Sequence, residues 1–337
     1  MNIKILPLLA LLVLLVLPSL STAQSRGIAL EAVKPQLKTP FVQGVYRALI
    51  VGNNVYRDQQ NRWPELKTAI SDARSIEQIL RQHYGFEDVE VIENGTRRDI
   101  LKALEQLSRK ALPNDSVLVY YAGHGFLDPE SNRGFWVPVD AVGIDNTTFL
   151  RNSTIRDELS NIAMRAKHTL LISDSCFSGS LLRQGSRGIS QMDSGEKYYQ
   201  KVARKKSVQI ISAGGVEYVD DNYQASGHSP FTYFLLNELK NNERQMLTVS
   251  ELSGNVSRAV ANNVDQVPES GVLQGAGDEL GEFIFIKLNV VVDGVPVDKV
   301  KVEVNLVPAQ KSKALKDSKM NDARPVDPSS SIPMPTL

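Results

Sequence analysis

The 337-residue chain has a single cysteine and only four histidines. No C-x-x-C or H-x-x-x-H spacing occurs in it, so a dedicated zinc site is not expected. The 38 basic and 38 acidic residues cancel, and bulk charge therefore predicts no affinity for nucleic acid or for an anionic membrane surface. One thiol cannot form an intramolecular disulfide. Stability must come from a hydrophobic core, which 42% apolar residues can supply.

The chain also has no apolar run long enough for a comfortable membrane span. The apolar stretch Ile5–Leu17 follows a positive charge at Lys4 and leads into small residues that end at Ala23. This pattern is typical of a secretory signal peptide over residues 1–23, and it predicts an exported protein, periplasmic or secreted. The alternative interpretation is an uncleaved N-terminal segment that anchors the protein. No other membrane contact is expected.

Composition divides the rest of the chain into four segments. Residues 24–42 are polar, contain two prolines and are typical of a surface lead-in. Residues 43–287 alternate between apolar and amphipathic patterns, as a folded domain does. In residues 288–309, alternating valines around Asp293-Gly294 predict a small β-hairpin extension. Residues 310–337 are rich in charge, serine and proline, which predicts a disordered tail.

Within the folded segment, short apolar runs alternate with helical spacing of apolar residues. This alternation predicts an α/β fold with a mostly parallel six-stranded sheet and helices on both faces. Strands are expected at 47–52, 89–92, 116–121, 170–173, 208–212 and 282–286. Helices are expected at 66–80, 154–165 and 230–239, after a capping box at Thr96 and Asp99, and after another at Thr248 and Glu251.

The single cysteine and one histidine both follow such strands. Cys176 comes after the run that ends at Ser173, and His124 lies in Ala122-Gly123-His124-Gly125 after another run. Open α/β sheets place their chemistry at the carboxyl ends of strands. A lone cysteine with a histidine about 50 residues upstream is a candidate nucleophile with its base, and the two would meet if their strands are neighbours. The alternative is a small buried thiol and a structural loop histidine.

Five motifs together carry a family resemblance. In this order along residues 45 to 287, the chain resembles caspase-like cysteine peptidases, and most closely their bacterial metacaspase-like branch, the orthocaspases. The motifs are Ala48-Leu49-Ile50-Val51-Gly52-Asn53, Asp72-Ala73, Tyr120-Tyr121-Ala122-Gly123-His124-Gly125, Asp174-Ser175-Cys176-Phe177-Ser178-Gly179 and Ser212-Ala213-Gly214-Gly215.

The resemblance implies a cysteine endopeptidase that acts on peptides or proteins through a Cys-His dyad. Cys176 is then the nucleophile and His124 the general base and acid. Backbone N–H groups of Gly125 and Cys176 are the natural donors to the oxyanion. Gly123 and Gly125 would let the substrate backbone come close, or would only form a tight turn; both interpretations are compatible.

The same resemblance assigns the specificity pocket to two acids. Asp174 and Asp72 match the aspartates that line the primary pocket of metacaspases. Two carboxylates favour a guanidinium or ammonium group, so cleavage after Arg or Lys is expected. Residues that follow the fifth strand are candidates for the pocket rim: Glu217, Asp220 and Asp221.

The chain departs from the family in the segments that often bind calcium. Those segments offer Asp140 and Asp157, but Arg156 and Arg183 stand where acids would be expected. Calcium prefers six to eight oxygen ligands, so neither calcium dependence nor another metal or cofactor is predicted.

The segment from 183 to 206 is rich in basic residues and is expected to be a solvated loop. An enzyme that cuts after Arg or Lys could process itself there. The rival hypothesis is a catalytically silent caspase-like scaffold that binds protein partners; retention of Cys176 and His124 favours the enzyme. A serine hydrolase built on Ser175 or Ser178 is excluded because neither serine has a G-x-S-x-G context.

Overall fold

The computed structural model describes residues 44–58, 62–175, 181, 196–214, 222–273, 275–288, 291–292 and 295–296. Its strands are β1 (Tyr46–Gly52), β2 (Asp88–Glu93), β3 (Ser116–Ala122), β4 (Gly125–Asp128), β5 (Arg133–Trp136), β6 (Leu150–Arg151), β7 (His168–Asp174), β8 (Ser207–Ser212), β9 (Met246–Thr248), β10 (Glu269–Val272), β11 (Ile284–Ile286), β12 (Val291–Val292) and β13 (Val295–Pro296). Its helices are α1 (Ala69–Tyr84), α2 (Arg97–Lys110), α3 (Asn152–Arg165), α4 (Glu196–Ala203), α5 (Pro230–Asn241) and α6 (Val249–Ala261).

The central sheet has six strands in the order β10-β8-β7-β3-β1-β2. All neighbours are parallel except β10, which pairs antiparallel with β8. The predicted mostly parallel six-stranded sheet is therefore confirmed. The assignment of 282–286 as its sixth strand is wrong, because β11 pairs with β9 in a separate two-stranded sheet. The edge position belongs to β10, whose sequence Glu-Ser-Gly-Val has too little apolar character to be recognised.

Helices cover both faces of this sheet, as predicted. Residues of α1, α5 and α6 share one buried cluster with the β3 residues Leu118 and Tyr120. Residues of α2 and α3 share the other cluster with Val119 and Tyr121. Successive side chains of a strand point to opposite faces, so the adjacent Tyr120 and Tyr121 of β3 pack on opposite faces of the central sheet.

Local sequence signals set the helix ends. The capping boxes predicted at Thr96 and Thr248 are both present, with Asp99 and Glu251 as their partners. Helix α1 ends at Gly85, which has the left-handed φ of 65° that favours glycine. Helix α5 begins after Ser229, whose hydroxyl accepts the N–H of Thr232.

Two further elements were not predicted. One is the three-stranded antiparallel sheet β4-β5-β6, which follows the end of β3 directly. The other is the helix α4, which forms part of the expected 183–206 loop because Tyr199 packs with Ile284 and Ile286 of β11. The strands β12 and β13 pair antiparallel, with Val292 opposite Val295, which is consistent with the predicted hairpin; its turn residues lie outside the described ones. No helix in these described ranges has the length and apolarity needed to cross a membrane.

Candidate active site

Two strand ends meet at the carboxyl edge of the central sheet. β3 and β7 are parallel neighbours with Ala122 opposite Asp174, and the N–H of Gly123 donates to the carbonyl of Asp174 at 3.4 Å. His124 follows β3 by two residues, and Cys176 follows β7 by two residues. The condition under which the two residues would meet, that their strands are neighbours, is fulfilled. Cys176 itself lies outside the described residues.

Two tyrosine hydroxyls hold the main chain of His124. The His124 N–H donates to Oη of Tyr56 at 2.8 Å, and Oη of Tyr121 donates to the His124 carbonyl at 3.0 Å. A Cβ on Gly123 would lie 2.8 Å from the Tyr121 hydroxyl and 3.0 Å from that of Tyr56. Glycine is therefore required at position 123 so that both hydroxyls can approach the chain.

The imidazole of His124 is oriented by a main-chain acceptor. Its Nε2 lies 2.8 Å from the carbonyl oxygen of Pro64. Because a carbonyl can only accept, Nε2 carries the hydrogen, and Nδ1 is the basic nitrogen of the neutral ring. The rings of Tyr56 and Trp63 flank the imidazole, with centroids 4.7 and 5.6 Å away. Both contacts restrict the ring to one orientation.

Asp174 ends β7 and faces a set of hydroxyl donors. Its Oδ2 accepts from Oγ of Ser229 at 2.5 Å and from Oγ1 of Thr232 at 2.7 Å. The hydroxyl of Tyr120 lies 2.7 Å from Oγ1 of Thr232 and completes the chain of bonds. Burial raises the pKa of Asp174, and the bonds from Ser229 and Thr232 oppose that rise. The carboxyl is half-buried.

Asp72 lies in α1 and is almost fully buried beside this set. Its Oδ1 is 2.7 Å from Nδ1 of His228, and its Oδ2 accepts the N–H of Ser229 at 3.3 Å. The pKa of Asp72 is raised to about 7, because burial and, to a smaller extent, the charge of Asp174 raise it more than the bond from His228 lowers it. The structure thus brings together the two acids predicted for the pocket, with Ser229 bonded to both.

Of the other predicted site residues, Gly125 begins β4 and is half-buried. Glu217, Asp220 and Asp221 lie outside the described residues. Sequence reasoning did not identify the supporting groups, which are Tyr56, Pro64, Ser229, Thr232 and His228. Ser229 before Pro230 is a helix-start signal, which was available but indicates no site.

Asp140 and Asp157, the two acids offered for calcium, do not converge on a common site in the described part of the chain. Oδ1 of Asp140 accepts the N–H of Arg97 at 2.8 Å. Asp157 is 73% exposed on α3 and lies 3.9 Å from Arg156. Nowhere in the part of the chain that the structure describes do three or more His, Cys, Asp or Glu side chains converge as metal ligands.

Comparison with known proteins identifies the family. Residues 46–272 match the caspase domain. Metacaspase-1B of Aspergillus fumigatus is 29% identical over 153 residues, which are 41% of this chain and 36% of that protein. Metacaspase-1 of Schizosaccharomyces pombe is 31% identical over 160 residues, which are 42% of this chain and 35% of that protein. The chain thus spans little more than a third of the length of these relatives.

A solved structure adds a comparison of the fold. Caspase-1 from Spodoptera frugiperda aligns with a TM-score of 0.48 at 17% identity, over 69% of this chain and 90% of that chain. Because the caspase-domain match covers residues 46–272, more than half of the 337 residues, the chain belongs to the caspase family of cysteine-type peptidases.

Proposed function

We propose that the protein is a cysteine endopeptidase that hydrolyses peptide bonds after Arg or Lys, with Cys176 as nucleophile and His124 as general base. The hydrogen bond from Nε2 of His124 to the Pro64 carbonyl, 2.8 Å long, carries the proposal. It makes Nδ1 the proton acceptor of the ring. His124 follows the end of β3, and the neighbouring strand β7 leads to Cys176.

The reaction follows from these groups. The thiol of Cys176 gives its proton to Nδ1 of His124, and the thiolate attacks the peptide carbonyl carbon. Backbone N–H groups of Gly125 and Cys176 stabilise the oxyanion. When the C–N bond breaks, the imidazolium protonates the departing amine. Water then attacks the thioester with His124 as base, which releases the carboxylic acid and restores the thiol.

The acidic pocket supports the preference for Arg or Lys. Asp174 is the half-buried acid and would contact the substrate cation, while the buried Asp72 adds negative charge behind it. Each charge-assisted hydrogen bond contributes about 1.5–3 kcal/mol, and an acidic side chain would be repelled. Glu217, Asp220 and Asp221 lie outside the described residues and stay candidates for the rim.

The proposed activity includes self-processing between 183 and 206, since that segment offers the arginines and lysines that the pocket selects. The signal peptide over residues 1–23 would direct the protein to the periplasm or the medium. Peptides or proteins are the proposed substrates, and no cofactor takes part in the mechanism.

Purified protein tests the proposal with fluorogenic peptides that end in Arg, Lys or Asp. We expect hydrolysis of the Arg and Lys peptides alone. Cys176→Ala and His124→Ala should each lower kcat by about a thousandfold or more, because the two groups act as a unit. His83→Ala, a half-buried histidine at the end of α1, is the control and should retain activity. A folded wild-type protein that cleaves none of the peptides would favour the silent scaffold.

A further inference from the structure

His228 is a buried histidine that the proposed catalytic step does not use. Its side chain is 2% exposed and lies 2.7 Å from Asp72, which is 1% exposed. The turn before α5 holds its main chain on both sides. The His228 N–H donates to Oγ of Ser226 at 3.2 Å, and its carbonyl accepts the N–H of Tyr223 at 2.8 Å. This turn fixes the imidazole against Asp72.

Asp72 and Asp174, the two acids beside His228, repel each other when both are ionised. Two like charges in a buried site do not both persist unless donors compensate them. Ser229 divides its donors between the acids, with its N–H at 3.3 Å from Asp72 and its hydroxyl at 2.5 Å from Asp174. The bond from His228 to Asp72 is the shorter of the two that Asp72 receives here. His228 is therefore the main donor that allows Asp72 to remain a carboxylate while Asp174 is one.

We propose that His228 is a positioning residue for cation recognition: through Asp72 it sets the negative charge that the pocket offers to the Arg or Lys side chain of the substrate. This inference rests on the specificity proposed above. His228 does not contact the reacting atoms in this role. It acts through the 2.7 Å contact between its Nδ1 and Oδ1 of Asp72, which orients that carboxyl and favours its ionised form when Nδ1 is the donor.

Loss of this donor has a defined consequence. Without it, the longer bond from the Ser229 N–H is the hydrogen bond left to the Asp72 side chain among the described residues, and Asp72 faces the charge of Asp174. A buried carboxyl in that state takes up a proton, so the pocket loses one negative charge. Binding of a charged side chain then weakens, whereas binding of an uncharged side chain of the same shape does not.

The test compares two peptides that differ only in having arginine or citrulline before the scissile bond. The measured quantity is the ratio of their kcat/KM values. His228→Leu removes the donor and should lower this ratio about tenfold, mainly through KM for the arginine peptide. His228→Asn keeps an amide donor near the position of Nδ1 and should stay within about threefold of wild type.

Two variants separate this role from a purely structural one. His168→Asn is the control: His168 is also buried, but it lies at the start of β7, at the opposite end of that strand from Asp174, and bonds to Ser207 at the start of β8. It should leave the ratio unchanged. His228→Gln moves the donor one bond further and should lower the ratio below that of His228→Asn, which decides the matter if His228→Leu does not fold.

The outcomes distinguish the two proposals. A wild-type enzyme that cleaves both peptides equally overturns the Arg/Lys specificity, and the role of His228 with it. A wild-type preference for arginine that persists in His228→Leu, or that is the same in His228→Asn and His228→Gln, overturns the role of His228 alone.

Discussion

The imidazole of His124 and the main-chain carbonyl of Pro64 form a 2.8 Å hydrogen bond, and no side-chain charge is needed to fix the tautomer. A peptide oxygen cannot change its protonation, so it holds the same ring nitrogen in the donor role at every pH where the ring is neutral. The orientation of His124, the proposed base, therefore depends on the path of the main chain near residue 64 and on the groups that hold the main chain of His124.

Tyr56→Phe should lower kcat about tenfold with little change in KM. It removes the acceptor of the His124 N–H, and a buried donor left unsatisfied costs about 1–3 kcal/mol. The loop that carries the imidazole can then shift, and small displacements of a catalytic group are costly. Steady-state kinetics on the Arg peptide measure the effect.

Tyr84→Phe is the matched control for that substitution. The Tyr84 hydroxyl donates to the carbonyl of Leu239 at 2.7 Å within the other helical layer. Its removal should lower the free energy of unfolding while leaving kcat near the wild-type value. An equal fall in kcat for both variants would mean that Tyr56 acts only through overall stability.

Asp174→Asn should lower the arginine-to-citrulline ratio of kcat/KM by about 10–100-fold. The amide keeps an acceptor for Ser229 and Thr232 but loses the charge that attracts a guanidinium. Glu282→Gln is the control, because this buried acid also accepts from neutral partners, Ser250 and Gln209. If Asp174→Asn slows both peptides equally, Asp174 supports the nucleophile or the fold instead.

Asp72→Asn should gain stability relative to wild type as the pH rises from 4 to 7. The pKa of Asp72 is about 7 in the folded protein, against about 4 in an unfolded chain. The folded state binds this proton more tightly, so the wild-type free energy of unfolding falls between those pH values and then levels off. Asparagine does not titrate.

The difference between the two proteins should therefore grow by about 2–4 kcal/mol between pH 4 and pH 8. Urea unfolding of both proteins at pH 4.5, 6 and 8 measures it. A difference that is independent of pH would show that the carboxyl of Asp72 titrates alike in the folded and unfolded states.

Active protein should cut itself in the basic segment, while Cys176→Ala protein stays whole. Lys197 and Lys201 lie on helix α4, whose backbone must unwind before a protease can bind it. Cleavage after these two lysines is therefore expected to be slower than cleavage at the basic residues outside α4. Intact-mass analysis of both proteins after incubation measures this, and equal cutting of the two would indicate a contaminating protease.

The remaining basic residues complete the set of candidate sites, which are Arg183, Arg187, Lys197, Lys201, Arg204, Lys205 and Lys206. The two pieces should stay associated after cleavage. β7 and β8 pair along their whole length on either side of the cut, and a nicked loop removes few buried contacts.

Much of the fold could be predicted because its central strands are continuous apolar runs with parallel neighbours. β3 and β7 are buried along almost their whole length, and each contains a continuous apolar run, residues 117–122 in β3 and residues 170–172 in β7. The edge strand β10 is only partly buried, and the short strands β4–β6 depend on pairing with one another rather than on a local pattern. Tertiary contacts alone determine these elements.

The candidate site likewise has residues that could be predicted from the sequence and residues that could not. His124, Asp72 and Asp174 could be identified because their residue types and motifs indicate chemistry. The groups that support them could not, because a carbonyl at Pro64 or a hydroxyl at Thr232 has a role only once distant segments meet. Asp72 and His228 are 156 positions apart, and no local pattern joins them.

Ser229 contacts both pocket acids, Asp72 and Asp174. Along the chain it follows the basic segment 183–206, whereas both acids precede that segment. After a cut in that segment, the enzyme would be a noncovalent heterodimer. One polypeptide would carry the nucleophile, the base and both acids, and the other would carry the residues that hold those acids in place. Neither polypeptide alone would contain a complete specificity pocket, so dissociation of the two at low concentration would inactivate the enzyme.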